Sequence, residues 1–371
     1  MRVVILFRGF AFGGIERYVL AIAEGLSRRG VPWEIWHPDP TFVNKMLARL
    51  TRRAVGGSVV ALDVAGPADH LWGQFRSARR QFRSLKERFS LLMNESTPGL
   101  FAVAAIAGRA AGAHRVVNVT HWIGDDCARN WSGGTLGLWK AHPFAKMRTV
   151  TAASSAFVTP SMFAARTLVD WFRVPMRKVH VIPHGVPRPL QAAGGNGGVR
   201  ELAFLGRLSH EKGLDVLLRA LALLPERLPF HLTVAGDGPL RHELGELASE
   251  LGLNGRVTWL GFCEHITDVL HRADVCVVPS RTESFGLAVV EAMAAGVACV
   301  ASCTGGIKEM ITNGVDGLLV APDDPQALAE RLEALLVDGQ MRKALGRAAR
   351  DTALARYSQR RMIRQTLDLL L

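Results

Sequence analysis

Short β-branched runs alternate with longer helical patterns along the whole chain. Residues 3–7 form an unbroken apolar run that predicts a buried strand, and 14–29 carry a helical pattern that stops at Gly30. Residues 33–36, 91–93 and 115–119 predict further strands, with a helix over the apolar run 100–107. In the second half, strands are expected at 201–205, 232–235, 256–260, 275–278 and 298–301, separated by helices at 214–224, 239–251 and 286–295. Alternation with connections this short implies parallel sheets covered by helices on both faces. The pattern restarts near residue 200, after a stretch containing Gly194-Gly195-Asn196-Gly197-Gly198. The expected organisation is an N-terminal domain over 1–186, a linker over 187–199, a C-terminal domain over 200–355, and a closing helix over 356–371 that returns to the N-terminal domain. Doubly wound sheets bind ligands outside the carboxyl ends of their strands, so the two strand-end faces are expected to meet at a central cleft.

Composition narrows the class. Hydrophobic residues make up 49% and charged residues 21% of the 371, which fits a soluble globular protein and excludes disordered, collagen-like and coiled-coil chains. No run approaches the roughly 18 apolar residues of a spanning helix, and the run 3–7 is too short for a signal-peptide core. The five cysteines, Cys127, Cys263, Cys276, Cys299 and Cys303, are scattered without a Cys-x-x-Cys pair, which fits a reducing compartment. The charge is lopsided. Residues 1–185 hold 25 Lys and Arg against 11 Asp and Glu, a net of +14, whereas 186–371 hold 20 against 22, a net of −2. An anionic partner is therefore expected for the first half alone.

Three segments carry candidate chemistry. Arg8-Gly9-Phe10-Ala11-Phe12-Gly13-Gly14-Ile15-Glu16 follows the first predicted strand and opens a helix. Its glycines and free N–H groups suit an anion, or simply a tight turn; it is neither a dinucleotide fingerprint nor a P-loop. Gly206-Arg207-Leu208-Ser209-His210-Glu211-Lys212-Gly213 sets two cations five positions apart, able to close on a diphosphate. Its plainer reading is a solvated loop in which Glu211 pairs with Lys212. Pro279-Ser280-Arg281-Thr282-Glu283-Ser284-Phe285-Gly286-Leu287 leads into a helix bearing Glu291. Glu283 can accept sugar hydroxyls, the backbone N–H groups of Phe285, Gly286 and Leu287 can hold phosphate, and the apolar run before Glu291 argues against its full exposure.

Together these segments resemble the family-4 retaining glycosyltransferases of GT-B architecture, with two Rossmann-like doubly wound parallel-sheet domains. The resemblance also covers Val181-Ile182-Pro183-His184-Gly185-Val186, Gly236-Asp237-Gly238-Pro239, Glu291-Ala292-Met293-Ala294-Ala295-Gly296 and Gly305-Gly306-Ile307-Lys308-Glu309-Met310-Ile311, then Asn313-Gly314-Val315-Asp316-Gly317. It implies that Arg207 and Lys212 bind the donor diphosphate and that Glu291 binds the ribose. Glu283, Ser284 and the Phe285–Leu287 backbone then hold the transferring sugar. Gly13 and Gly14 lie against the diphosphate, and Gly236 and Phe262 near the base. His121 is implied to face the donor sugar as a catalytic residue with Arg207, Lys212 and Glu283, while His184 is read as structural. The same fold also serves nucleotide-sugar 2-epimerases, and a soluble, secondary-metabolite acceptor is a further alternative.

The expected donor is a nucleotide-diphosphate sugar, most simply a UDP-sugar, with no other cofactor. No Asp-x-Asp occurs in the sequence and no His/Cys cluster has metal-ligand spacing, so metal-independent transfer is expected. In the basic half, apolar residues at 72, 75, 78, 82, 85 and 89 make one helical stripe, with Arg76, Arg79, Arg80, Arg83, Lys86 and Arg88 around it. Arg49, Arg52 and Arg53 fall on another predicted helix. A basic amphipathic helix suits an anionic membrane surface; the plainer reading packs its stripe on the sheet. The aromatics lie on the apolar stripe, which argues against nucleic acid. The expectation is a cytoplasmic enzyme, peripheral on the membrane, acting on a lipid-linked or envelope glycan such as a lipopolysaccharide core.

Overall fold

The computed structural model describes residues 1–7, 14–37, 57–61, 71–85, 87–94, 98–121, 143–187, 200–263 and 265–371. Gly13, Arg49, Arg52, Arg53 and Lys86 lie outside them, as does nearly all of the expected linker. The chain divides into two compact units, Met1–His184 with Arg360–Leu371, and Gly185–Gln359.

Among the described residues the first unit holds seven parallel strands: β1 (Arg2–Phe7), β2 (Trp33–His37), β3 (Gly57–Ala61), β4 (Phe89–Asn94), β5 (Val116–Val119), β6 (Ala156–Thr159) and β7 (Val179–Val181). Their order is β3-β2-β1-β4-β5-β6-β7, with Leu6 of β1 opposite Trp36 of β2 on one side and Met93 of β4 on the other. Val3 to Phe7 are buried, because helices cover both faces of the sheet and leave the strand no polar side. The second unit holds six: β8 (Arg200–Leu205), β9 (Phe230–Ala235), β10 (Val257–Gly261), β11 (Val275–Val278), β12 (Ala298–Ser302) and β13 (Leu318–Val320). They are parallel in the order β10-β9-β8-β11-β12-β13. Both units are Rossmann-like, and each reverses its winding once, between β1 and β4 and between β8 and β11. Such reversals open a crevice at the strand ends.

The amphipathic segment resolves in favour of packing. Its helix runs Leu71–Ser84, with Ala78 and Phe82 buried in the core and Phe75 packed against it. Phe89, expected on the same stripe, instead begins β4, and its ring stacks on Phe82 with centroids 5.5 Å apart. The apolar period continues across the turn because both rings enter one core. Arg76, Arg80 and Arg83 stay exposed, while Arg79 is half-buried.

The boundary between units falls at Gly185, and Val186 belongs to the second unit: its N–H donates to the Tyr357 carbonyl at 3.0 Å. The last helix, Gln359–Leu370, joins the first unit beyond its opening residue. Thr366 Oγ1 meets the buried Tyr18 hydroxyl at 3.0 Å, and Ser90 Oγ donates to the Leu370 carbonyl at 2.7 Å. Met362, Leu367 and Leu370 complete the core beside the helix Gly14–Arg28. No helix among the described residues is long and apolar enough to cross a membrane.

Candidate active site

The second unit gathers most of the expected site residues on loops at the carboxyl ends of neighbouring strands. Strand β8 runs into Gly206 and Arg207, then a 3₁₀ turn His210–Lys212, then the helix Leu214–Ala222. Strand β11 runs into the 279–286 loop, then the helix Leu287–Ala295. Because β8 and β11 are adjacent, residues 71 apart in sequence meet: Lys212 Nζ donates to Glu283 Oε2 at 2.5 Å. Glu211 instead accepts from Ser209 Oγ at 2.6 Å, so the plainer pairing of Glu211 with Lys212 does not occur. The side chains of Lys212 and Glu283 retain 27% and 12% exposure, so an incoming ligand can reach the pair. Arg207 is exposed on the same loop.

Two glycine contacts fix these loops from below. Gly305 has φ +47° and packs so closely that a Cβ would stand 1.9 Å from the Glu283 carbonyl oxygen, while the Gly306 N–H donates to that oxygen at 2.9 Å. At Gly236, in the loop after β9, a Cβ would stand 1.7 Å from the Gly206 carbonyl oxygen. The loops after β8, β9, β11 and β12 therefore rest directly on one another's backbones.

Gly286 caps the helix Leu287–Ala295 with φ +101° and contributes no side-chain hydrogen bond. The N–H groups of that first turn are thus not satisfied by a capping side chain, the condition under which a helix start attracts an anion. Ser284 is buried, and the Phe285 ring is buried edge-on against Tyr357 at 5.9 Å, so only the backbone of Phe285 is left to face a ligand. Leu287 and Glu291 are half-buried. Phe262, beyond Gly261 at the end of β10, is 53% exposed, an apolar ring open to stacking.

Sequence reasoning assigned no role to Arg281, yet it is the most heavily bonded side chain of these loops. Its guanidinium donates to both Asp215 oxygens at 2.9 and 2.7 Å, to Asp323 Oδ1 at 2.5 Å and to the His210 carbonyl at 2.7 Å. Burial opposes the Asp215 carboxylate, but the Arg281 fork and charge outweigh it and hold that carboxyl below its ordinary value. No local sequence signal marks this pair, because the Asp215 helix and the Arg281 loop become neighbours only through the strand order.

In the first unit, Gly14 begins the helix after β1, and His121 lies just past β5. His121 is buried, stacked on His184 with centroids 4.9 Å apart and with Nδ1 3.2 Å from His184 Nε2. The Tyr18 ring stands edge-on to both. Burial, and then the charge of His184, hold His121 well below the usual imidazole value, and burial pushes His184 down to about 4. Both rings are therefore neutral near pH 7.

This fold and these loops define a GT-B protein, and comparison with known proteins gives its family. The model of glycosyltransferase family 4 matches residues 12–188, and that of glycosyl transferases group 1 matches 191–352. A D-inositol 3-phosphate glycosyltransferase of Mycolicibacterium gilvum is 30% identical over 384 residues, 92% of this chain and 80% of that protein. An uncharacterized glycosyltransferase of Methanocaldococcus jannaschii is 30% identical over 235 residues, 59% of this chain and 60% of that protein. The crystal structure of Anabaena HepE in complex with UDP and glucose has a TM-score of 0.80 at 21% identity, covering 99% of this chain and 98% of that one. The chain belongs to family 4 of the glycosyltransferases.

Proposed function

We propose that the protein moves a hexose-type sugar from a UDP-sugar to a hydroxyl of a lipid-linked or envelope glycan, with retention of anomeric configuration and without a metal ion. The observation that carries this reading is the Lys212–Glu283 pair at the β8–β11 reversal, beside a helix start with no side-chain cap. As the anomeric carbon–phosphate oxygen bond breaks, negative charge grows on the diphosphate. Lys212, Arg207 and the N–H groups at Gly286 and Leu287 are suited to stabilise it. Glu283 takes sugar hydroxyls, Glu291 the ribose, and Gly236 and Phe262 flank the base. No carboxylate is assigned to attack the opposite face of the sugar. On the front-face route that the family resemblance implies, the acceptor oxygen bonds to carbon on the face the phosphate leaves, and its proton passes to that phosphate. His121, neutral and hydrogen-bonded to His184, is assigned to the sugar hydroxyls. The complex of HepE with UDP supports the choice of base.

A thermal-shift screen with UDP-, GDP- and ADP-sugars should single out the UDP set, since a ligand at 100 times its Kd adds about 2.7 kcal/mol. Proton NMR of the product should show the donor's anomeric configuration, and EDTA should leave the rate unchanged. An inverted product or an EDTA-sensitive rate would each remove its part of the reading.

The net charge of +14 in residues 1–185 supports an anionic acceptor environment. The M. gilvum relative, named for a phosphorylated acceptor, supports a phosphate on the acceptor itself. Arg76, Arg80 and Arg83 project from a helix that buries Ala78 and Phe82 and packs Phe75 on the same core, so they act as surface charge and not as an inserted wedge. At about 1 kcal/mol per basic residue, three arginines give about 3 kcal/mol toward an anionic bilayer. Co-sedimentation with phosphatidylglycerol vesicles is expected at low salt, lost in high salt and weakened by joint replacement of the three by Gln. Equal recovery on phosphatidylcholine vesicles would reject it.

A further inference from the structure

We propose that Arg281 is a positioning residue for donor binding: it clamps the Arg207–Gly213 loop onto the 279–286 loop and so fixes the approach of Lys212 to Glu283. The inference rests on the reading of these loops as the diphosphate site.

The bonds of Arg281 reach every segment that frames the pair. Its Nη1 and Nη2 form a two-pronged bond to Asp215, the second residue of the helix that follows Lys212. Nη1 also donates to the His210 carbonyl, in the turn that ends at Lys212. The Arg281 backbone N–H donates to the Glu211 carbonyl at 2.9 Å, so residues 210, 211 and 215 are all tied to position 281. On the other side, Nε donates to Asp323 at 2.5 Å, and Thr304 Oγ1 donates to the Arg281 carbonyl at 3.0 Å. Asp323 holds the left-handed backbone region, φ 57°, uncommon for a residue with a side chain. Lys212 and Glu283 thus flank the clamp, one on each loop that it joins.

The same bonds argue against a direct phosphate contact. A guanidinium has five N–H donors, and four are engaged here. Two carboxylates lie on it, and its side chain is 16% exposed. Arg281 is therefore spent on holding the loops, and the exposed Arg207 is the arginine left to meet an anion. Lysine cannot take this place, because a single ammonium lacks the planar fork that grips Asp215 with two bonds while reaching Asp323 with a third.

The test compares UDP binding by calorimetry, donor kinetics and melting temperature in the intact chain. Arg281→Ala is expected to raise the UDP Kd by about tenfold, equal to 1.4 kcal/mol, and Arg281→Lys to recover only part of it. Asp215→Asn should weaken UDP binding in the same direction. The double change Arg281→Ala with Asp215→Asn should be little worse than the first alone, as expected for two partners in one interaction. Leu332→Val, in the core away from the loops, should lower the melting temperature while leaving the UDP Kd unchanged. If Arg281→Ala lowers only the melting temperature, as Leu332→Val does, Arg281 merely stabilises the fold and the proposal is overturned. If it abolishes folding, the comparison passes to Arg281→Lys and Asp215→Asn, where an unchanged Kd overturns it equally. Wild-type protein that binds none of UDP, GDP and ADP would instead remove the reading of the site, and the clamp with it.

Discussion

Lys212→Ala should lower kcat for sugar transfer by about 10²–10³-fold, the loss seen when one preorganised group that stabilises developing charge is removed. Lys212 is held by Glu283, which fixes where its ammonium stands. A partly exposed ion pair contributes about 1 kcal/mol or less to stability, so the variant should fold and melt close to wild type. The loss is then chemical and not structural. Glu283→Gln sharpens the argument, because it preserves shape and removes the charge. Lys212 no longer has a carboxylate to compensate it, so UDP should bind at least as tightly as to wild type. Transfer should still fall, since an amide accepts sugar hydroxyls less strongly than a carboxylate. Near wild-type turnover in Lys212→Ala would rule out its role on the leaving phosphate. Weaker UDP binding in Glu283→Gln would show that the pair must stay charged to hold the loop.

The physics of that pair also explains what the sequence could and could not disclose. Strands such as β1 and β11 are legible because a strand buried on both faces must be apolar throughout. That Arg207, Lys212, Glu283 and Gly286 lie on loops at strand ends is legible because glycines and charges interrupt apolar runs. Strands β3, β6, β7 and β13 were missed because Gly57-Ser58 opens β3, Thr159 closes β6, and β7 and β13 are three residues long, so none shows a clean apolar run of strand length. The helix Leu71–Ser84 was overextended for the opposite reason. Phe89 continues its apolar spacing while belonging to a strand that enters the same core. The Lys212–Glu283 contact and the Arg281 clamp were illegible because they are set by strand order. β8 lies beside β11 only after two intervening strands have been laid on its other side. Local spacing says nothing of that crossover. Likewise the stacking of His184 on His121 was illegible, because it depends on how the chain closes the first unit around Tyr18.

Acidification should unfold the first unit before the second, with the effect concentrated between about pH 6.5 and pH 4. An unfolded histidine titrates near 6.5, whereas burial pushes folded His184 down to about 4. Within that window the unfolded chain binds a proton that the folded unit refuses, so stability rises with pH and is lost as pH falls. Going from pH 7 to pH 5, His184 alone costs about 2 kcal/mol by the linkage relation. His121, displaced in the same direction by burial and by His184, adds to the loss, although protonating one ring opposes protonating the other. The second unit has a different threshold. Asp215 is held below its ordinary value, so its contribution is present above that value and lost only as pH falls through the lowered one. That lies below the histidine window. Seven of the eight tryptophans precede His184 and one, Trp259, follows it, so intrinsic fluorescence reports the first unit almost alone. Its melting temperature should drop steeply from pH 7 to pH 5, with UDP-dependent stabilisation of the second unit persisting at pH 5. His184→Gln keeps a hydrogen-bonding group beside His121 and cannot titrate, so the slope should flatten. An unchanged slope would place the acid sensitivity elsewhere than in His184, and the double change with His121→Gln reads the share of the partner ring.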